Sequence, residues 1–207
     1  MTLQFALDNT DPERSWEVVD QIKDLIDRVE LGHLGLHLGL DGIRMVKEKF
    51  PNLPLEWDQK CASVFSNNLA IDCKPDFVTI NRMTEESARK VVEYGHSKGV
   101  KVIGDIGGGY GANGYIYINY VNAGCDEISV MARISQEDPF PLPTKVAAAI
   151  RERYGIKFSV WGKLTRDNMI PVLELKPDNV VIGKAIYNAP NPREETMKIK
   201  ELLAKYS

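Results

Sequence analysis

Phe77-Val78-Thr79-Ile80 is an apolar run of strand length. An amphipathic segment follows over residues 85–98, and then Lys101-Val102-Ile103-Gly104-Asp105. Strand, helix and strand in that order make a βαβ unit, whose crossover lays the two strands side by side and parallel. The same alternation runs outward in both directions. Upstream, strands are expected at residues 3–7, 29–32 and 53–58, with helices over 13–27, 39–50 and 64–71. Downstream, helix and strand follow each other through 115–123, 127–131, 144–154, 157–160, 165–175, 179–182 and 193–206. In the last segment Ile199, Leu202, Leu203 and Tyr206 fall on one helical face. Eight strand–helix units with a period of roughly 25 residues most simply close into a (β/α)8 TIM barrel, here one domain over residues 1–207. An open doubly wound sheet fits less well, because no G-x-G-x-x-G follows the first strand.

Composition narrows the class. The chain has 207 residues, 26 Lys+Arg against 29 Asp+Glu, and 43% hydrophobic residues. A net charge of −3 speaks against nucleic acid or an anionic membrane as partner. No apolar run reaches the ~18–20 residues that span a bilayer, and the N-terminus carries no basic, apolar leader. Cys61, Cys73 and Cys125 are too scattered for a disulfide framework or zinc spacing. A cytoplasmic, reduced protein is the expectation.

In such a barrel the chemistry sits at the C-terminal ends of the strands. Those ends read Asp8, Glu30 with His33, Asp58 with Lys60, Asn81, Asp105, Arg133, Gly162 with Lys163, and Gly183 with Lys184. Four acids aimed at one rim repel unless a cation compensates them, and all-oxygen ligation points to Mg²⁺ rather than zinc. Asp58 and Lys60 are two apart on a strand and face the same side, so the acid holds the lysine charged and ready to deliver a proton. An ordinary strand-end salt bridge is the rival reading. Two Gly-Lys pairs after the seventh and eighth strands suit phosphate: glycine admits the anion to the backbone and lysine adds charge. His33 can reach the rim, whereas His37 and His96 read as helix or surface residues. Gly107-Gly108-Gly109-Tyr110-Gly111 reads as a flexible loop, since no Gly-Lys-Ser/Thr follows. Pro139, Pro141 and Pro143 stiffen the connection before the helix at 144–154.

These motifs resemble the orotidine 5′-phosphate decarboxylase suprafamily, in its branch of 3-keto-L-gulonate 6-phosphate decarboxylase and hexulose-6-phosphate synthase. The resemblance rests on Ala6-Leu7-Asp8, Val29-Glu30-Leu31-Gly32, Leu55-Glu56-Trp57-Asp58-Gln59-Lys60, Asp105 and Val181-Ile182-Gly183-Lys184-Ala185-Ile186. Glu30 selects the metal-dependent branch, as the orotidylate enzymes carry Lys there. The resemblance implies that Glu30 and Asp58 bind Mg²⁺, which holds a cis-enediolate formed on the substrate. Lys60 would then hydrogen-bond the enediolate, with Asp8 and Asp105 on sugar hydroxyls or the metal shell and Arg133 on substrate or water. Gly162, Lys163, Gly183 and Lys184 would hold phosphate. It also implies a homodimer with sites at the subunit interface.

Three positions depart from the family pattern. Ser63 stands where the family has an acid reaching toward the neighbouring subunit's site, Ala132 replaces a histidine before Arg133, and Lys163 replaces the second glycine of its pair. The leading expectation is a Mg²⁺-dependent carbon–carbon lyase on a phosphorylated keto-sugar, of the 3-keto-L-gulonate 6-phosphate decarboxylase type. The alternatives are formaldehyde aldol chemistry of the hexulose-6-phosphate synthase type, metal-independent orotidylate decarboxylation, and a sugar-phosphate-binding homologue without turnover.

Overall fold

The computed structural model describes residues 1–107, 115–132 and 142–207. Its strands are β1 (Thr2–Ala6), β2 (Arg28–Leu31), β3 (Leu55–Cys61), β4 (Phe77–Asn81), β5 (Lys101–Asp105), β6 (Glu127–Met131), β7 (Lys157–Trp161) and β8 (Asn179–Ile182). The helices are α1 (Pro12–Ile22), α2 (His33–Leu38), α3 (Asp41–Lys49), α4 (Val64–Asp72), α5 (Glu85–Ser97), α6 (Tyr115–Ala123), α7 (Leu142–Tyr154), α8 (Ile170–Leu173), α9 (Lys184–Tyr187) and α10 (Pro192–Tyr206). All eight strands are parallel and pair in chain order. β8 returns to β1 with Leu3 opposite Val180, so the sheet closes into the expected (β/α)8 barrel.

Outward strand residues such as Leu3, Phe5, Val29, Leu31, Val78, Ile80, Phe158 and Val160 are buried under the helices. The inward positions are mostly polar, where packed barrels of this fold usually carry branched apolar residues. Arg28 on β2 reaches Glu56 on β3 at 3.2 Å and Glu127 across the barrel on β6 at 3.1 Å. Burial of these charges is tolerable because each is paired and hydrogen-bonded.

A second regularity holds the opposite end of the barrel. Each even strand is preceded or opened by an aspartate whose carboxylate accepts from the backbone N–H of the odd strand before it. The pairs are Asp27 with Leu3 (2.9 Å), Asp76 with Leu55 (2.8 Å), Asp126 with Val102 (2.8 Å) and Asp178 with Phe158 (3.0 Å). Each of the four aspartates also meets a basic side chain: Lys200, Lys47, His96 and Arg151 respectively. At this end of the barrel the same two-strand contact thus recurs four times.

Some boundaries differ from the sequence reading. The first helix ends at Ile22, not at residue 27, because the last turn opens into the Asp27 loop. The helix expected over 165–175 contracts to α8. Asn168 accepts from Thr165 N at 2.8 Å and donates to Lys163 O at 3.0 Å, which builds a turn in place of a helical start. Two short helices, α2 and α9, were not anticipated. Arg133, residues 108–111 of the glycine run, Pro139 and Pro141 lie outside the described residues, and nothing of the Pro143 side chain is described. Among the described residues no helix is long and apolar enough to cross a membrane.

Candidate active site

Strand β3 supplies the centre of the site. Glu56, Asp58 and Lys60 alternate inward, and Lys60 takes a left-handed backbone conformation (φ 49°). The ladder to β4 slips there, with Trp57 opposite Val78 but Cys61 opposite Ile80. A non-glycine residue in this region costs about 1 kcal/mol or more and persists where its surroundings demand it. Here the bulge is secured by Gln59, whose Nε2 donates to Leu31 O (3.0 Å) and Gly32 O (2.8 Å) at the end of β2.

Lys60 Nζ donates to Asp58 Oδ2 and lies 4.5 Å from the centre of the Trp161 ring. Burial favours the neutral amine, but the carboxylates of Asp58, Asp105 and Glu30 outweigh it, and Lys60 is held above its ordinary pKa as an ammonium. Glu30 shows the opposite balance. Burial first, then the charges of Asp58 and Glu56, push its carboxyl well above the usual range.

Glu30, Glu56 and Asp58 bring one oxygen each to within 4.8 Å of one another. Glu56 is committed elsewhere: Oε1 accepts from Thr79 at 2.6 Å, and Oε2 accepts from Gln4 at 2.9 Å and Arg28 at 3.2 Å. Glu30 accepts from Gln4 Nε2 at 2.6 Å and lies against Asp58, whose Oδ1 is buried without a donor. An orphaned carboxylate oxygen beside a second under-satisfied carboxyl is the donor set of a hard divalent cation. The residues therefore fit the metal expected from the sequence.

Asp8 sits at the top of β1. Its Oδ1 is 2.9 Å from His33 Nδ1, at the start of α2. A Cβ on Gly32 would lie 2.4 Å from Asp8 Oδ1, and one on Gly183 would lie 3.3 Å from Oδ2. The two glycines let β2 and β8 close on this carboxylate. Asp8, Glu30, Gly32, His33, Asp58 and Lys60, with Leu36, Gln59 and Trp161, line a cavity of about 360 Å³. A hollow of comparable size at the other end of the barrel, beside Lys23, Phe50 and Pro51, has no such convergence of inward acids.

The remaining expected residues fall as follows. Gly162 (φ 110°) and Lys163 (φ 54°) make a left-handed turn after β7, and Gly183 caps α9 with no side-chain cap bond. Lys163 and Lys184 are exposed on these neighbouring turns. Asp105 is only 1% exposed; it accepts from Asn81 Nδ2 (2.7 Å), Gly107 N (3.2 Å) and Trp161 Nε1 (3.2 Å). Burial raises its pKa, with Lys60 the main opposing influence. Ser63 is exposed and caps α4, accepting from Ser66 N at 3.2 Å, away from the cavity lining. Gln4, Gln59 and Trp161 escaped the sequence reading, and Asn81, named there at the end of the fourth strand, was given no role. Inward parity was the available signal: Gln4 shares a face with Ala6 and Asp8, and Trp161 with Ser159.

A lysine and clustered acids at the C-terminal mouth, with glycine turns after β7 and β8, place the candidate site where TIM-barrel enzymes carry their chemistry. Comparison with known proteins narrows this. No protein-family model matches the chain. It is 27% identical over 216 aligned positions to the 3-hexulose-6-phosphate synthase of Bacillus subtilis, covering 98% of this chain and 99% of that protein. It is 26% identical over 219 positions to the orotidine 5′-phosphate decarboxylase of Methanocaldococcus jannaschii, with 98% and 99% covered. Among solved structures, 3-hexulose-6-phosphate synthase from Salmonella typhimurium superposes with a TM-score of 0.86 at 24% identity over the whole of both chains. KGPDC from Streptococcus mutans does so at 0.85 and 17% identity, over 99% and 98%. Over its whole length the chain is thus similar to 3-hexulose-6-phosphate synthases and to an orotidine 5′-phosphate decarboxylase, and it shares its fold with KGPDC, which are the proteins its motifs resemble.

Proposed function

We propose that this lyase breaks or forms a carbon–carbon bond of a phosphorylated keto-sugar with the help of Mg²⁺. One observation carries the reading: the Asp58–Lys60 pair stands beside Glu30 with Asp58 Oδ1 buried and unpartnered. Glu30 and Asp58 would hold the ion, which when bound supplies Lewis-acid stabilisation of negative charge on substrate oxygen. Lys60, kept cationic by its neighbours, donates to the oxygen or carbon that gains charge as the bond breaks. Asp8, steadied by His33, accepts from a sugar hydroxyl. The backbone of Gly162 and Gly183, with Lys163 and Lys184, anchors the phosphate. Asp105 supports the charge of Lys60 from beneath. Arg133 keeps the substrate or water role that the resemblance gives it, and Ser63, which caps α4, keeps its candidate substrate-binding place toward the neighbouring subunit's site.

Two reactions use this machinery, decarboxylation and formaldehyde aldol addition. The leading expectation is the first, the sequence motifs do not separate the two, and the hexulose-6-phosphate synthase relatives support the second equally. Glu30 in place of lysine disfavours orotidylate decarboxylation. The test is direct: CO₂ release from 3-keto-L-gulonate 6-phosphate and formaldehyde addition to a ketopentose 5-phosphate, each with Mg²⁺ and with chelator. One Mg²⁺-dependent turnover is expected. Binding of sugar phosphate without either turnover would turn the reading to a non-catalytic binding protein. A homodimer is part of the proposal, supported by Leu36 and Phe65, each 72% exposed, the former on the cavity wall. Sedimentation velocity checks it.

A further inference from the structure

Trp161 leaves the end of β7 and its ring lies 4.5 Å from Lys60 Nζ on β3. In a closed ring of eight strands, β3 and β7 stand opposite each other. The indole therefore lies across the mouth of the barrel. Its Nε1–H donates to Asp105 Oδ1 on β5 at 3.2 Å, so the ring covers the β3–β5–β7 side. Asp105 beneath it is 1% exposed, although it ends an inward-facing strand at the catalytic end. The cavity bears the same mark. Among the described residues its lining comes from the ends of β1, β2 and β3 and the start of α2, with Trp161 as the wall.

We propose that Trp161 is the specificity-determining residue of this site: its indole confines the phosphorylated substrate to the β8–β1–β2–β3 half of the mouth and withholds Asp105 from it. The inference rests on the sugar-phosphate reading and adds to it a limit on substrate size. A substrate anchored by phosphate at the β7 and β8 turns reaches Lys60 only by passing along the indole. Carbons and hydroxyls that would extend toward β5 meet the ring instead of the Asp105 carboxylate. The ring is fixed by two different partners, the Lys60 cation and the Asp105 acceptor, so it acts as a rigid wall.

The test is calorimetric titration of the Mg²⁺-supplemented protein with dihydroxyacetone phosphate, D-xylulose 5-phosphate and D-fructose 6-phosphate. Trp161→Ala is expected to raise affinity for the six-carbon ligand relative to the three-carbon one by about tenfold or more, the scale on which pocket size discriminates. Trp161→Phe is expected to shift it less. Asp105→Asn should weaken six-carbon binding in the Trp161→Ala background, where the carboxylate is uncovered. Should Trp161→Ala not fold, Trp161→Leu is read in the same way, with a shift of about threefold. Ligands bound with the same ratio by wild type and variants overturn the inference and leave the sugar-phosphate reading standing. Binding of no ligand by any of the proteins, wild type included, overturns both.

Discussion

Gln4 Nε2 stands 2.6 Å from Glu30 Oε2, and the same nitrogen reaches Glu56 Oε2 at 2.9 Å. One fully buried amide therefore holds two carboxyl groups side by side, and its own oxygen accepts from Asn179 Nδ2 at 2.8 Å. This small group holds Glu30 against Glu56, which stands two residues before Asp58 on β3. Gln4→Leu keeps the bulk and removes both donors, leaving two buried carboxyls short of a partner. It is expected to cost about 2 kcal/mol or more in urea unfolding at neutral pH. It should also weaken Mn²⁺ binding read by electron paramagnetic resonance. A loss below about 0.5 kcal/mol with unchanged Mn²⁺ affinity would remove the role given to Gln4.

Glu30 fixes the sign of a pH effect. Its carboxyl titrates above 4.5 in the folded chain, because burial and the charges of Asp58 and Glu56 oppose ionisation. The native state therefore binds more protons than the unfolded state once pH exceeds 4.5, and stability falls as pH rises through the raised pKa. Asp105 and Glu127, raised chiefly by burial, act in the same direction. A divalent ion on Glu30 and Asp58 reverses the trend by favouring the ionised forms. Thermal melts in chelator should decline from pH 5 toward pH 8, and Mg²⁺ should restore most at the higher pH. Asp58→Asn should abolish the Mg²⁺ response.

Among the described residues that line the cavity, Lys60 is the only lysine or arginine. Lys60→Met retains the stem that lies against Trp161 and removes the charge. Whichever of the two turnovers is found, kcat is expected to fall about 100-fold or more, with a smaller change in KM. Equal activity in wild type and variant would reduce the Asp58–Lys60 pair to a structural salt bridge.

The alternation of apolar runs with amphipathic segments was enough to read the barrel, because burial on both faces of a parallel sheet leaves a strong signal. Asp8, Glu30, Asp58 and Lys60 were legible as well, since strand ends in this fold converge whatever the loops do. The short helices α2 and α9 were not, as one turn of helix leaves too little periodicity to detect. Trp161 fell just past the strand expected over 157–160 and carried no role there. Its part in the site comes from direction: it shares the inward face of β7 with Ser159, and only the closed barrel shows that this face meets Lys60 and Asp105. Ser63 was read through an acid that it replaces, whereas in the fold it caps α4. The fourfold aspartate pattern was present in the sequence as Asp27-Arg28, Asp76-Phe77, Asp126-Glu127 and Asp178-Asn179, but its meaning depends on the pairing of strands.

That pattern gives the last prediction. Asp126 Oδ2 accepts from the Val102 N–H at 2.8 Å and from His96 Nε2, when that nitrogen carries the proton, at 2.9 Å. Asp76 does the same for Leu55 N at 2.8 Å, with Lys47 Nζ at 2.7 Å. Replacing either aspartate by alanine leaves a backbone donor at the start of an inner strand without its partner, a cost of about 1–3 kcal/mol. Replacement by asparagine keeps an acceptor oxygen and should recover most of that loss. The basic partners are at least partly exposed, so the ion pairs themselves contribute little. The two sites share no residue, so Asp76→Ala and Asp126→Ala should add in the double variant. Urea unfolding of the four single variants and the double alanine variant measures this. If asparagine costs as much as alanine, the charge and not the backbone bond is what holds the strands.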